Sequence, residues 1–399
     1  MWFLLLGIAL LLVLSGGLYF RHRFVRSIII LGAPARSQKL VRWLIPLLLF
    51  AYPLGLIASV LWSIALGSES FSIEPGGIWL WLIVYPFWLS VLILVQSLPL
   101  LIVLDLLRFA ASKIRKFNFH ERYWAMSVLV VVAFFSLYTP ARIVLDRDDL
   151  NVREYQLGSG ADKPFKIVFW GDLQRDAHTG AERTQKVLDL INREQADLIL
   201  FGGDWINTGA AYIDSAASAG GQLKSRLGTY SVRGDHEHFA YRDKDRSVLE
   251  LSAALAKQGV EMPHNEVRWF VHEGKRIGVA FLSHNYMVRS PAEETRKLIA
   301  KLADADYSIL LTHQFDRALE EVVKDQVDLV LAAHTHGGQV NPVLGVVHVP
   351  LARVETSYIE GRYQLGEHTT VIVTAGIGFS TAPFRYASPA SIEVLYVRP

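Results

Sequence analysis

The residues best equipped for chemistry lie in the run Ala332-Ala333-His334-Thr335-His336-Gly337-Gly338-Gln339. It follows the apolar stretch 327–331, interrupted by Asp328, which reads as a buried strand running into a glycine turn. Residues two apart in an extended chain face the same side, so His334 and His336 can present two imidazoles to one site. Imidazole nitrogens bind metals, and Gly337-Gly338 let the backbone turn tightly beside them. Four other strand-to-loop junctions end in acids or histidine: Gly171-Asp172-Leu173-Gln174, Gly202-Gly203-Asp204, Arg233-Gly234-Asp235-His236-Glu237 and Thr312-His313. Carboxylates and imidazoles without thiolate suit Mn, Fe, Zn or a similar divalent ion.

Such a site requires strands that end together. Strands are predicted over 165–170, 198–201, 230–232, 277–282, 308–311, 327–331, 369–373 and 392–397, with helices over 179–195 and 246–258. This alternation argues an α/β domain with a mostly parallel core and helices outside. In such sheets the carboxyl edge of the strands is where ligands bind, and the five junctions would converge there. No internal repeat or low-complexity linker is visible in this half of the chain.

Composition sets further bounds. A chain of 399 residues with a hydrophobic fraction of 51% is too long for one ordinary domain and too apolar for a purely soluble one. A net charge of +2 gives no global basic field, so no nucleic-acid partner is expected. The absence of cysteine excludes disulfides, zinc–thiolate sites and cysteine nucleophiles, and leaves the compartment open.

The excess apolar character is concentrated before residue 146. Residues 1–20 carry no charge and are long enough to span a bilayer. They lack the charged start and the small-x-small cleavage site of a secretory signal, and read as a retained helix. Further spans are predicted over 43–66, 78–104 (with Pro86 and Pro99 as kink sites) and 124–141. Arg21, Arg23, Arg26, Arg36, Lys39 and Arg42 separate the first two spans. Arg108, Lys113, Arg115, Lys116 and Arg122, with Glu121, separate the last two, whereas Glu69 and Glu74 lie between the middle pair. The positive-inside rule places the basic connections in the cytoplasm, and residues beyond about 142 on the outer side of a plasma or inner membrane. The expected organisation is a membrane domain of four helices over 1–145 and a catalytic domain over 146–399. Gln96 and Asp105, in or beside the third span, are expected to snorkel or to pack helices together.

The set of junctions resembles the signature of the calcineurin-like metallophosphoesterases, in the membrane-tethered branch where several helices precede the catalytic domain. The resemblance covers about residues 150–399. It is carried by Gly234-Asp235-His236-Glu237 and His334-Thr335-His336-Gly337-Gly338-Gln339, with 376–385 similar to the family's closing strand region. It implies a sandwich of two packed sheets flanked by helices, with two divalent ions, Mn, Fe or Zn. The implied reaction is hydrolysis of a phosphomonoester, phosphodiester or pyrophosphate bond by a metal-bridging hydroxide, between ions ~3.5–4 Å apart. The implied substrate is a phosphate ester, and a tether at the bilayer makes a lipid-linked or envelope phosphate attractive. By position, Asp172, Gln174 and His336 would hold the first metal, and Asp204 would bridge. Asp235, His313 and His334 would hold the second, while His236 would stabilise the transition state or protonate the leaving oxygen.

Three residues depart from the pattern. Gln174 replaces a histidine and is a weaker donor; Asp235 replaces an asparagine and adds a negative charge; Asn207 stands where an outer carboxylate is common. The competing reading is a catalytically impaired binding or regulatory membrane protein. His238 and His284 are expected as pocket-lining or solvated loop residues, Asp316 as an outer carboxylate or helix cap, and Arg385 as a phosphate contact or surface ion pair. The oligomeric state is not encoded in these features.

Overall fold

In the computed structural model the described residues are 2–69, 77–113, 120–344 and 347–399, the side chains of 2–10, 344 and 347 excepted. The chain divides into two units. One comprises Met1–Gly67, Ile73–Leu145 and Pro342–Val349, and the other Ser68–Ser72, Asp146–Asn341 and Pro350–Pro399.

The first unit is built on α1 (Trp2–Ile30), α2 (Ala35–Ala65), α3 (Tyr85–Ser112, entered through a π turn, Leu80–Val84) and α4 (Glu121–Asp146). Among the described residues, three helices are long and apolar enough to cross a membrane: Ala35–Ala65, Leu80–Ser112 and Glu121–Asp146. The span expected over 1–20 begins on side chains outside the described set, as do Glu74, Arg115 and Lys116 in the connections. Arg21, Arg23 and Arg26 lie on α1, and Arg36, Lys39 and Arg42 on α2, rather than in a loop. Arginine and lysine are good helix formers, and nothing after Gly17 breaks the pattern until Gly32 (φ +85°) and Pro34 turn the chain. The polar groups of α3 pack helices. Asp105 pairs with Arg23 and accepts from the Tyr19 hydroxyl at 2.6 Å. Gln96 donates to Thr139 at 3.2 Å and accepts from the Val343 amide at 3.3 Å.

The strands, in chain order, are β1 (Leu150–Gly158), β2 (Phe165–Trp170), β3 (Leu198–Phe201), β4 (Thr229–Ser231), β5 (Val260–Glu261), β6 (Glu266–His272), β7 (Lys275–Leu282), β8 (Tyr307–Thr312), β9 (Leu329–Ala332), β10 (Val343–Leu344), β11 (Val347–His348), β12 (Gly361–Leu365), β13 (Thr369–Val373) and β14 (Ala390–Arg398). Two six-stranded sheets form the second unit, in the orders β1-β14-β2-β3-β4-β5 and β12-β13-β9-β8-β7-β6. Strands β2 to β5 run parallel, as do β7, β8, β9 and β13. Antiparallel pairs occur at β14/β2, β6/β7 and β12/β13, so each sheet is mixed around a parallel centre.

Period-two alternation explains the layering. Phe165, Ile167 and Phe169 of β2 enter one core with Ile309 and Leu311 of β8 and Leu329 and Leu331 of β9, between the sheets. Val168 and Trp170 point the other way, into a core shared with Val187, Leu188 and Ile191 of α5 (Ala181–Arg193) and with α6 (Ile213–Gly221) and α7 (Lys244–Lys257). On the second sheet, Val330 and Ala332 meet Leu298 and Ile299 of α8 (Ala292–Ala300) and Leu319 and Val323 of α9 (Arg317–Val323). Helices therefore cover both outer faces, and the central strands are buried on both sides, which is why they read as unbroken apolar runs.

Glu393 is fully buried on β14, accepts from Ser391 Oγ at 2.5 Å, and has Arg153 no closer than 3.9 Å. Burial pushes its carboxyl up to about 7. A raised folded-state pKa means stability is fullest below the unfolded value of ~4.3 and falls as pH rises to about 7, here by up to ~3 kcal/mol. Glu393→Gln is therefore expected to raise the thermal midpoint at pH 8 and to change it little at pH 4, measured by thermal unfolding of the full chain.

Candidate metal centre

The parallel strands deliver the reactive side chains to one edge. Asp172 and Gln174 follow β2, Asp204 follows β3, Asp235 and His236 follow β4, His313 follows β8, and His334 and His336 follow β9. The loops extend the ladder beyond the strands: Asp172 N donates to Gly203 O, and Gln174 N to Asp204 O, both at 2.9 Å. The Asp172 carboxylate accepts the His334 amide at 3.1 Å, which ties the two sheets together at the site.

All seven residues expected to bind metal come together, six of them in two groups whose candidate donor atoms lie within 4.8 Å of one another. The groups are Asp172, Asp204 and His336, and Asp235, His313 and His334. Gln174 adjoins the first, donating its amide to Asp204 Oδ2 at 2.7 Å. His313 connects the groups, its Nε2 lying 3.4 Å from Asp204 and 3.5 Å from Asp235. His334 Nδ1 is 3.1 Å from Asp235.

Tautomers follow from the outer partners. His313 Nδ1 faces Gly202 O at 2.7 Å and donates to it, which leaves Nε2 toward the carboxylates. His334 Nε2 lies 2.7 Å from Glu355 and donates there, leaving Nδ1 toward Asp235. His236 Nδ1 meets the Asn207 carbonyl at 2.5 Å, and its Nε2 stands 4.0 Å from Asp204. The side chains of His236 and His334 retain 19% and 14% exposure against 6% or less for Asp172, Asp204, Asp235 and His313, so solvent reaches the site past these two rings.

The electrostatics call for a cation. Burial pushes Asp172 up to about 6, with His313 opposing and Asp204 reinforcing the rise. Burial alone would lower His313 and His334, yet the carboxylates around them win. His313 is held well above its usual value and His334 rises to about 9, with Asp235 and Glu355 as the main causes of the latter. Asp235 is also raised by burial and more than returned by those two rings, ending well below the usual carboxylate range. His336 goes the other way, depressed by burial and by the Arg385 charge. Gln174 Oε1, Asp235 Oδ2 and His336 Nδ1 are buried without a hydrogen-bond partner. Orphaned donors of this kind, in a pocket of carboxylates that drives two imidazoles toward protonation, fit hard divalent cations.

Backbone strain marks the same residues. Asp172, Gln174, Asp204, His334 and His336 all have positive φ, between 49° and 75°, a costly conformation for non-glycine residues that concentrates at functional sites. A side chain at Gly234 would drive a Cβ into the Asp204 carboxylate, so only glycine fits there.

Other expectations need correction. His238 and His284 are buried rather than solvated, and His284 is clamped between Asp316 and Arg289 at 3.3 and 2.9 Å. Asp316 takes one of its two expected roles, as a helix cap: it accepts from Leu319 N at 2.9 Å at the start of α9. Arg385 is not in a surface ion pair. It is fully buried and donates to the carbonyls of His336, Ala375, Gly378 and Ser388, fastening the His336 loop to the 375–378 segment, whose Gly378 amide donates to Asp172 O at 2.7 Å. Asn207, though not a carboxylate, still supports the site, holding Asp176 at 2.8 Å as well as His236. Glu237 and Glu355 received no role from the sequence. Glu237 accepts the amides of Gly234, Asp204 and Trp205 at 2.5, 3.0 and 2.7 Å, and burial pushes it up to about 7. Its proximity to Gly234 in the motif was the available signal; Glu355, far from His334 in sequence, had none.

Residues 165–338 match the family model of the calcineurin-like phosphoesterases. An uncharacterized metallophosphoesterase of Campylobacter jejuni is 26% identical over 270 residues, 68% of this chain and 68% of the relative. A transmembrane protein with a metallophosphoesterase domain from Danio rerio is 27% identical over 302 residues, 73% of this chain and 66% of the relative, so the match spans about two thirds of these proteins. A solved hypothetical protein of Thermus thermophilus aligns with a TM-score of 0.32 at 17% identity, over 56% of this chain and 88% of its own.

Proposed function

Because the chain carries a calcineurin-like phosphoesterase domain, we propose that it is a membrane-anchored, metal-dependent phosphoesterase. It hydrolyses a phosphomonoester, phosphodiester or pyrophosphate bond. The observation that carries this reading is the buried pair of donor groups, with their orphaned atoms, set beside the half-open His236. Asp172, Gln174 and His336 would hold one ion, Asp235, His313 and His334 the other, and Asp204 both. Two divalent ions would neutralise phosphoryl charge and activate water at neutral pH. The chain's own residues do the rest. Glu355 and Gly202 O fix the tautomers of His334 and His313, and Arg385 holds the His336 loop. His236, oriented by the Asn207 carbonyl, offers Nε2 to the leaving oxygen and in its protonated form supplies the proton. Residues 1–145 would serve as the membrane domain and 146–399 as the catalytic one. Basic connections in the cytoplasm would put the catalytic domain outside, where a lipid-linked or envelope phosphate ester is in reach.

The test is hydrolysis of bis-p-nitrophenyl phosphate and p-nitrophenyl phosphate by the detergent-solubilised full chain with Mn, Zn, Mg or Fe. His236→Ala should lower kcat by ~10²–10⁴ with unchanged bound metal, as expected for loss of a general acid. One observation favours a second reading, an impaired binding protein: Gln174 spends its amide on Asp204 and offers the first site only a carbonyl oxygen. A folded chain that binds at most one ion and turns over neither substrate would establish that alternative, and Gln174→His would then be expected to restore both ion and turnover.

A further inference from the structure

A second concentration of charge lies in the helical unit, unrelated to the metal centre. A cavity of about 430 Å³ opens between α1 and α2, and four of its seven lining side chains are Arg21, His22, Arg26 and Arg42; the other three are aliphatic. No acidic side chain lines it among the described residues. On α1 the lining positions 18, 21, 22, 25, 26 and 29 recur at three- and four-residue intervals, so they form one helix face.

The neighbouring cations are already committed. Arg23 pairs with Asp105 and lies 3.8 Å over the Trp124 ring, and Arg26 reaches Glu121 at 3.2 Å. Among the described residues, Arg21, His22 and Arg42 have no hydrogen-bond or ion-pair partner. Unpaired cations lining a cavity of this size, next to apolar helix surface, suit an anion.

Beyond the cavity, the same face of α1 is apolar. Leu18, Leu14 and Leu11 continue the same face of α1 toward its start and are 63%, 37% and 65% exposed. A free inorganic anion has no use for such a track. An amphiphile with a phosphate at one end and hydrocarbon at the other would place its charge on the arginines and its chain along the leucines.

We propose that the cavity between α1 and α2 binds an anionic phospholipid, its phosphate on Arg21 and Arg42 and an acyl chain along Leu18, Leu14 and Leu11. Arg26 divides its charge between the lipid and Glu121, and His22 adds a donor. Membrane-surface phosphates gain about 1 kcal/mol per nearby basic residue, so two unpaired arginines favour an anionic over a zwitterionic headgroup by more than tenfold.

The experiment is native mass spectrometry of the delipidated full chain in detergent, titrated in turn with phosphatidylglycerol, phosphatidylcholine and inorganic phosphate. One phosphatidylglycerol per chain is expected, at least tenfold tighter than phosphatidylcholine. Arg21→Gln with Arg42→Gln should abolish that preference, while leaving turnover of bis-p-nitrophenyl phosphate and the lipid-free thermal midpoint unchanged. Leu14→Asn should weaken phosphatidylglycerol and phosphatidylcholine alike several-fold, leaving the preference between them intact. Equal binding of the two lipids, or an unaltered preference in the double variant, would overturn the proposal. So would inorganic phosphate competing as well as the lipid, since the cavity would then be an anion site with no lipid in it.

Discussion

Asp204→Asn is expected to reduce kcat/KM for bis-p-nitrophenyl phosphate by about 10³-fold, the scale on which loss of a preorganised electrostatic element acts. Among the carboxylates of the site, Asp204 alone reaches Gln174, His313 and His236 together. Its Oδ2 lies 2.7 Å from the Gln174 amide, 3.4 Å from His313 and 4.0 Å from His236, while Oδ1 accepts the His236 amide at 2.9 Å. Asparagine keeps the shape and one acceptor but removes the charge that the two donor groups would share. The bound metal, measured on the same sample, should fall from two ions per chain to one or none, and KM should change less than kcat. Retention of two ions with full turnover would remove Asp204 from the metal centre.

Glu237→Ala should damage the fold itself. The carboxylate satisfies three buried amides that shape the Asp204 and Asp235 turns, and the substitution leaves all three unpaired. Each buried unpaired donor costs ~1–3 kcal/mol, so the loss is on the order of 5 kcal/mol, a large part of the ~5–15 kcal/mol that holds a domain together. The thermal midpoint should drop by about 10 °C or more, with metal affinity falling at the same time. Glu237→Gln keeps one accepting oxygen and should lie between the wild-type chain and the alanine variant. A midpoint unmoved in Glu237→Ala would show that water replaces the carboxylate at all three amides.

Much of the fold was legible because the central strands are buried on both faces. Residues 165–170, 198–201 and 369–373 coincide with β2, β3 and β13, since an apolar run bounded by glycine or charge has few other readings. Strands β1, β6 and β12 were not legible. They lie at sheet edges, alternate with polar residues such as Arg153, Arg268 and Arg362, and look like loop in composition. The residue types of the site were readable at the junctions, but the geometry that arms them was not. Positive φ at Asp172, Gln174, Asp204, His334 and His336 depends on loops braced by residues distant in sequence. Gly376, itself at φ 64°, is one of these; a Cβ there would stand 2.6 Å from Asp172. Arg385 and Glu355 act on the same loops from positions that no local pattern singles out.

The short segment Pro342–Val349 carries the hairpin of β10 and β11 and belongs with the helices, although it is spliced between the His334–His336 loop and Glu355. The two units are therefore not interchangeable cassettes. A recombination that exchanged everything before Asp146 would leave this hairpin behind, with the Val343 amide deprived of Gln96 and Val349, already 36% exposed, without its neighbours. Lineages that shuffle their helical part must shuffle a piece from deep within the α/β unit with it, or shorten that loop. The hairpin's length and sequence should accordingly track the helices, not the metal-site motifs, among related chains.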